Sequence, residues 1–444
     1  MAQFRWTRDG RATWNYVSAG MPYNIAGVVS SDDVIVQALA DEVSLAGGPS
    51  LRNIAGRMLL PSVAASSIKS ARGRTQVTVR DDVATGAQFV FPNWCVTQFG
   101  AASPYLETNG LGSMDIQAAV EYPSGTIAGT IAFSGSATGT IAAGANLAGI
   151  YTGATIPKNV RIGVRWRINS SSGLVWVSST TPALTSASYG DAFDSSATQG
   201  ALADNTQTLS DAYTNNAIGA LYGPIALLSV SSVKSPILFG TSIVHGENDT
   251  LDSTLDLGLL ARALGTAWPY INCGVRGDSA YRAVNVGGTA NFAKRMGLCA
   301  YATEAIIEYG PNDVGTVEAR SATQCLADRA TMYAYLKANY PSLKISQTTT
   351  TPLATSTDAF ATVANQTPDP TVTPKITAIN DAIRAGNIVN LSRVIEISDL
   401  LCSGRNSGKW ACPTGYTPLT NSGGLHPLQA GYKYVRDSGI VIPM

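Results

Sequence analysis

Four short segments, in chain order, carry residue types that together could cleave an ester. The apolar run Pro236-Ile237-Leu238-Phe239 leads into Gly240, Thr241 and the hydroxyl of Ser242. Asn272-Cys273-Gly274-Val275-Arg276-Gly277-Asp278-Ser279 comes next, then Gly310-Pro311-Asn312-Asp313, then Gly424-Leu425-His426-Pro427 near the end of the chain. A serine attacks an acyl carbon only when a base takes its proton, and the tetrahedral intermediate needs donors aimed at its oxyanion. Ser242 offers the hydroxyl and His426 the imidazole. Gly277 offers a backbone N–H that no Cβ shields, and Asn312 a side-chain amide. Each segment also has a plainer use: Ser242 as a helix cap, Asn312-Asp313 as a turn, His426 as a structural histidine.

The Ser–Gly–Asn–His order over residues 235–440 resembles that of the SGNH hydrolases, the GDSL-like esterase family. The resemblance implies Ser242 as nucleophile, His426 as base, and Gly277, Asn312 and the Ser242 N–H as oxyanion donors, with Gly274 as the alternative to Gly277. Two serines compete for the first role. Gly277-Asp278-Ser279 is the literal Gly-Asp-Ser, whereas Thr241 stands where the family usually has Asp. Order favours Ser242, because the family's nucleophile follows the first strand of the α/β domain.

Of the chain's two histidines, His426 matches the family's last block. His245, three residues after Ser242 on the same helical face, is expected to bind substrate together with Thr241 and Tyr281, or else to be merely solvated. The family's Asp three residues before the catalytic histidine is missing, because Gly423 stands there. Three explanations stay open: a Ser–His dyad held by a backbone carbonyl, an acid from elsewhere, or an impaired enzyme. Asp399 and Glu396, at the end of the last predicted strand, are the candidate acids.

Such a site needs a rigid frame. Apolar runs at 236–239, 269–273, 304–309, 343–347 and 394–398 predict strands. The helix face Leu257, Leu260, Ala261 and Leu264, and helical patterns near 317–339 and 376–385, lie between them. Strands alternating with helices predict a parallel sheet covered on both faces, flavodoxin-like in the family, with its chemistry at the carboxyl ends of the strands. From 71 to 230 the period changes to two. Val160, Ile162, Val164, Trp166 and Ile168 fall on one strand face, and Arg161, Arg165 and Arg167 on the other. The Gly/Thr/Ala-rich stretch 125–155 predicts short strands with tight turns. This region is expected to be an all-β sandwich of jelly-roll type. Residues 1–70 are expected to form a separate arm for attachment or oligomerisation, with a capped helix running to about Ala46, or else to pack on the next domain. The α/β hydrolase domain would then span 231–444.

Composition narrows the partners. Thirty basic and 30 acidic residues leave a formal net charge of +0, so nucleic acid, which requires a concentrated basic surface, is not expected. No signal sequence opens the chain, and the apolar run 218–230 is too short and too interrupted by Gly and Pro to span a bilayer. Six scattered cysteines make neither a disulfide scaffold nor a metal site, and no metal or cofactor is expected. Cys402 and Cys412 are the one candidate bridge. The resemblance implies removal of a small acyl group, acetyl above all, from a carbohydrate or other small ester. Trp94, Trp166, Trp176, Tyr281 and Trp410 are candidate sugar platforms. The competing expectation is a structural or receptor-binding protein with a worn hydrolase domain. The missing Asp, the low charge and the β-rich middle suit a virion or tail protein, with the cytoplasm as the other location.

Overall fold

The apolar runs after residue 230 pair into a five-stranded parallel sheet. In this computed structural model the described residues are 2–6, 12–17, 50–58, 60–96, 107–178, 189–208, 213, 220–285 and 291–444. The strands are β1 (Pro236–Gly240), β2 (Ile271–Gly274), β3 (Glu304–Glu308), β4 (Lys344–Thr348) and β5 (Arg393–Ile395). Their order is β2-β1-β3-β4-β5, and every pairing is parallel. Every residue of β1 and β3 is buried, as expected for strands covered on both faces.

The two faces separate by alternation. Leu238 and Ile306 point into a core with Leu259, Leu260, Leu264, Tyr432 and Val435. Those partners come from α2 (Leu259–Leu264) and α9 (Gln429–Ser438). Ile237, Phe239, Ala305 and Ile307 point the other way, onto Met332, Tyr333 and Leu336 of α6 (Ala322–Asn339). The remaining helices are α1 (Ser242–His245), α3 (Ala280–Asn285), α4 (Ala293–Gly297), α5 (Pro311–Val314), α7 (Val372–Arg384) and α8 (Ile397–Leu401). The single helix expected over 317–339 is thus α6 alone, which starts at a capping box in which Ser321 and Gln324 satisfy each other's backbone N–H.

The chain divides into two compact units, Met1–Ala46 and Gly47–Met444. In the first, Ala2–Trp6 pairs antiparallel with Ala12–Val17; the helix expected before Ala46 lies outside the described residues. In the second, an eleven-stranded sheet precedes the parallel one. Its order runs Ala192–Ser196, Ser70–Val79, Arg161–Asn169, Met114–Glu121, Ile127–Ala132, Asn146–Tyr151, Gln88–Pro92, Ala226–Ser231, Ser50–Asn53. A three-stranded sheet around Leu174–Ser178 joins the same core through Val175 and Val177.

This differs from a jelly roll, which needs two sheets of similar size. The long strands Ser70–Val79 and Arg161–Asn169 pair over nine positions and carry the sheet on in one run. Residues 50–65, expected in the arm, supply strands here instead. Arg165, expected on the open face, is buried. Its Nη1 lies 3.1 Å from Glu121, and its Nη2 donates to the carbonyls of Asn205 and Thr208 at 2.8 Å. The loop over that face supplies acceptors for a guanidinium that would otherwise need water.

The two sheets share an edge. Met58 forms a parallel bridge with Ile271, and Tyr270 N–H donates to Ala55. No helix among the described residues is long and apolar enough to cross a membrane.

Candidate active site

Ser242 sits at the carboxyl end of β1, between the neighbouring strands whose following loops carry Gly277 (after β2) and Asn312 (after β3). That end of an open α/β sheet is where ligands bind. Thr241 turns the chain there. Its backbone N–H and hydroxyl both donate to Glu308 Oε2, at 3.1 and 2.9 Å, and its Oγ1 accepts from Ile243 N–H as the N-cap of α1. Glu308 at the end of β3 thus holds the Thr241 turn from the neighbouring strand. Burial lifts the Glu308 carboxyl to about 7, against the lowering pull of the two Thr241 bonds.

Across 184 positions of sequence, Ser242 Oγ lies 2.7 Å from His426 Nε2. For the hydroxyl to donate, Nε2 must be bare and Nδ1 must carry the hydrogen. Among the described residues no group accepts from Nδ1. His426 rides a turn in which Asn421 N–H and Thr420 Oγ1 both donate to its carbonyl, at 3.0 and 2.9 Å. Trp410 Nε1 holds the Gly424 carbonyl at 2.8 Å. Burial, then the positive charge of Arg276, pushes the His426 imidazole down to about 4. Arg276 is ion-paired with Glu247 at 2.7 Å.

The oxyanion donors are arranged as follows. Gly277 has φ +71, a left-handed conformation that favours glycine. Among the described residues, nothing accepts from its N–H or from that of Ser242. Gly274, the alternative, spends its N–H on Asn272 Oδ1 at 2.9 Å. Asn312, the second residue of α5, donates one amide hydrogen to the Asp278 carbonyl at 2.8 Å, and its second hydrogen remains for a ligand. One hydrogen thus fixes the amide plane while the other can point at substrate.

The rival serine lies elsewhere in the network. Ser279 is fully buried, accepts from Arg282 N–H and faces Glu318, so it caps α3. Asp399 is committed to Arg384 and Arg405, and Glu396 to Arg384 and Thr349; neither meets His426. His245 is buried at the far end of α1, and among the described residues its Nδ1 has no partner. Burial and Arg276 hold it at about 4. Tyr281 lies under Arg320, whose guanidinium carbon is 4.3 Å from the ring centre, beside the Asn312 turn.

Trp94, Trp166 and Trp410 are core residues with at most 1% exposure, so they cannot serve as platforms; Trp176 is half-buried. The Cys402–Cys412 bridge does not form. Cys402 Sγ lies 3.5 Å from Ser398 Oγ, and Cys412 faces the Phe360 carbonyl. Glu308 escaped the sequence reading; the signal was an acid closing the apolar run Ala305-Ile306-Ile307.

No protein-family model and no curated protein matches the chain. Solved structures do resemble it weakly. A GDSL-like lipase from Bacteroides ovatus is 13% identical over 83% of this chain and 81% of its own, at a TM-score of 0.31. A family two carbohydrate esterase from Clostridium thermocellum is 12% identical over 87% and 96%, at 0.31. A carbohydrate acetylesterase from Sinorhizobium meliloti is 15% identical over 46% and 96%, at 0.32. Likeness at this level decides nothing about chemistry, which rests on the geometry above.

Proposed function

We propose that this chain is a serine carboxylic-ester hydrolase of SGNH type that removes a small acyl group through an acyl-enzyme intermediate. The observation that carries this reading is the 2.7 Å contact between Ser242 Oγ and His426 Nε2, beside two backbone N–H groups and an amide hydrogen with no other partner. In the proposed cycle His426 Nε2 takes the Ser242 proton as Oγ attacks the acyl carbon. The oxyanion then meets the N–H groups of Ser242 and Gly277 and the Asn312 amide. Protonated His426 passes its proton to the leaving alkoxide, and the same imidazole later activates water to release the acid. With no side chain among the described residues on Nδ1, the pair works as a dyad; a solvent molecule or the substrate completes the hydrogen bond.

The substrate proposal, an acetylated carbohydrate, is supported by the family resemblance. Hydrolysis of nitrophenyl acetate should fall about 10³-fold or more in Ser242→Ala and His426→Ala, in line with loss of a nucleophile or its base. A fluorophosphonate probe should label wild type and Ser279→Ala but not Ser242→Ala. Equal activity in wild type and Ser242→Ala would overturn the reading. It would favour a binding role for a worn hydrolase, to which the missing acid behind His426 also points. Acetylated sugars tested beside nitrophenyl acetate decide the substrate class; no preference for them removes the carbohydrate proposal.

A further inference from the structure

Behind the oxyanion donors lies a fully buried chain of charges that the proposed cycle does not use. Asp278 follows Gly277 directly. Its carbonyl fixes the Asn312 amide at 2.8 Å. Its carboxylate accepts from Ser279 N–H at 2.9 Å, from Arg295 Nη1 at 2.7 Å and from the Tyr309 hydroxyl at 3.1 Å. Arg295, in α4, is itself completely buried and reaches on to Glu107 through Nε at 3.0 Å. Glu107 also accepts from the backbone N–H groups of Arg295 and Lys294, at 3.0 and 2.6 Å. Asn291 Oδ1 in turn accepts from Glu107 N–H at 3.1 Å.

Glu107 belongs to a different part of the fold. It opens the strand Glu107–Asn109, which pairs with Trp94–Val96 just beyond the large antiparallel sheet. Two carboxylates, one guanidinium and a phenol at 0% exposure are costly to desolvate. Each therefore depends on the partners just named, because losing one would strand a buried charge. A rigid arrangement of that kind, attached to both the Gly277 turn and the Asn312 amide, sets where two oxyanion donors point. A donor misplaced by a fraction of an ångström loses most of its worth, and one such donor is worth about 10²–10³ in rate.

We propose that Glu107, acting through Arg295 and Asp278, is a positioning residue of the oxyanion site, so that the antiparallel part of the chain completes the catalytic apparatus. The proposal rests on the serine-esterase reading. The test is a double-mutant cycle on ester hydrolysis, with melting temperature followed in parallel. Glu107→Gln should lower kcat about 10- to 100-fold with KM changed less than about threefold. In an Asn312→Ala background the same substitution should cost clearly less, because one of the two donors it aims is gone. A protein merely loosened by the substitution would lose the same factor in both backgrounds, and that result overturns the inference. Where Glu107→Gln fails to fold, Tyr309→Phe serves in its place: it keeps the packing, deletes a single bond to Asp278, and should show the same dependence on Asn312. The two readings fail separately. Activity that survives Ser242→Ala sinks the esterase assignment, whereas Ser242-dependent activity with no coupling to Asn312 sinks only the role of Glu107.

Discussion

At the scale of single residues, the site is unusual in the charge that surrounds its base. Where the SGNH pattern places a carboxylate behind the histidine, His426 has none among the described residues; Gly423 occupies that position and Arg276 adds a positive field. Desolvation and that cation both disfavour imidazolium, which places the pKa at about 4 instead of the usual 6.5. The base must be neutral to accept the Ser242 proton. Lowering its pKa therefore keeps it competent to lower pH, and kcat/KM should hold steady from neutrality down to about pH 5 and fall through about 4. The same arrangement weakens the base and leaves the developing imidazolium without a counter-charge. Restoring the acid tests this account. Gly423 is not in a left-handed conformation, and a Cβ there would meet only the Asn421 amide, at 3.6 Å. Gly423→Asp should therefore be accommodated, raise kcat by about tenfold or more at pH 8 and move the acid limb of the profile upward. A profile and a rate both unchanged would show that Nδ1 is out of reach of that position.

At the scale of elements, the central strands of the parallel sheet were legible because burial on both faces favours apolar runs such as Ile237-Leu238-Phe239 and Ala305-Ile306-Ile307, whereas β4 buries Ser346, Gln347 and Thr348. Block order favours Ser242 over Ser279, although Gly-Asp-Ser is spelled out at 277–279; in the fold Ser242 Oγ meets His426 Nε2, whereas Ser279 accepts from Arg282 N–H. Other features depend on distant partners and left no local trace. Arg165 reads as a solvent-facing residue by alternation, and only the loop bearing Asn205 and Thr208 makes it a buried one. Glu107 and Arg295 are ordinary charged residues until the fold brings them together across 188 positions. The turn carrying His426 lies between these cases. Gly424 is recognisable as a turn former, but the reason it must be glycine is tertiary. At φ +64, an added Cβ would fall 1.7 Å from the Ala354 carbonyl oxygen and 2.7 Å from the Phe360 ring. Gly424→Ala combines left-handed strain with overpacking, together roughly 2–4 kcal/mol. It should lower the melting temperature by several degrees and reduce kcat more than the matching change at Gly423, since the turn must shift and takes His426 with it. Equal, small effects at both glycines would mean that the Trp410 and Ala354 contacts do not hold the base in place.

At the scale of the whole molecule, the change of architecture near residue 230 is not a division between compact units. Leu60, Val90, Trp94, Val96, Ile225 and Leu228, from the antiparallel part, are buried in one cluster with Ile237, Phe239, Ile271 and Val275 of the α/β part. Fully burying an apolar side chain contributes about 1.5–3 kcal/mol. Six such residues therefore represent on the order of 10 kcal/mol, comparable to the entire stability of an ordinary domain. The hydrogen bond from Tyr270 to Ala55, the Met58–Ile271 bridge and the Glu107–Arg295 ion pair cross the same seam. Cutting the chain before Ser235 would expose that apolar face and leave Arg295 and Asp278 buried without their outer carboxylate. Residues 235–444 alone should accordingly be insoluble, or soluble without a cooperative urea transition, and inactive. Every residue assigned to the site lies within Gly47–Met444, so a chain beginning at Gly47 should unfold cooperatively and keep kcat/KM within about twofold of the full length. Urea titration and ester hydrolysis on the two truncated chains check both statements. A cooperative, fully active fragment 235–444 would mean that the α/β part folds and aims its donors unaided, and the antiparallel part would then have to be explained by binding instead of by catalysis.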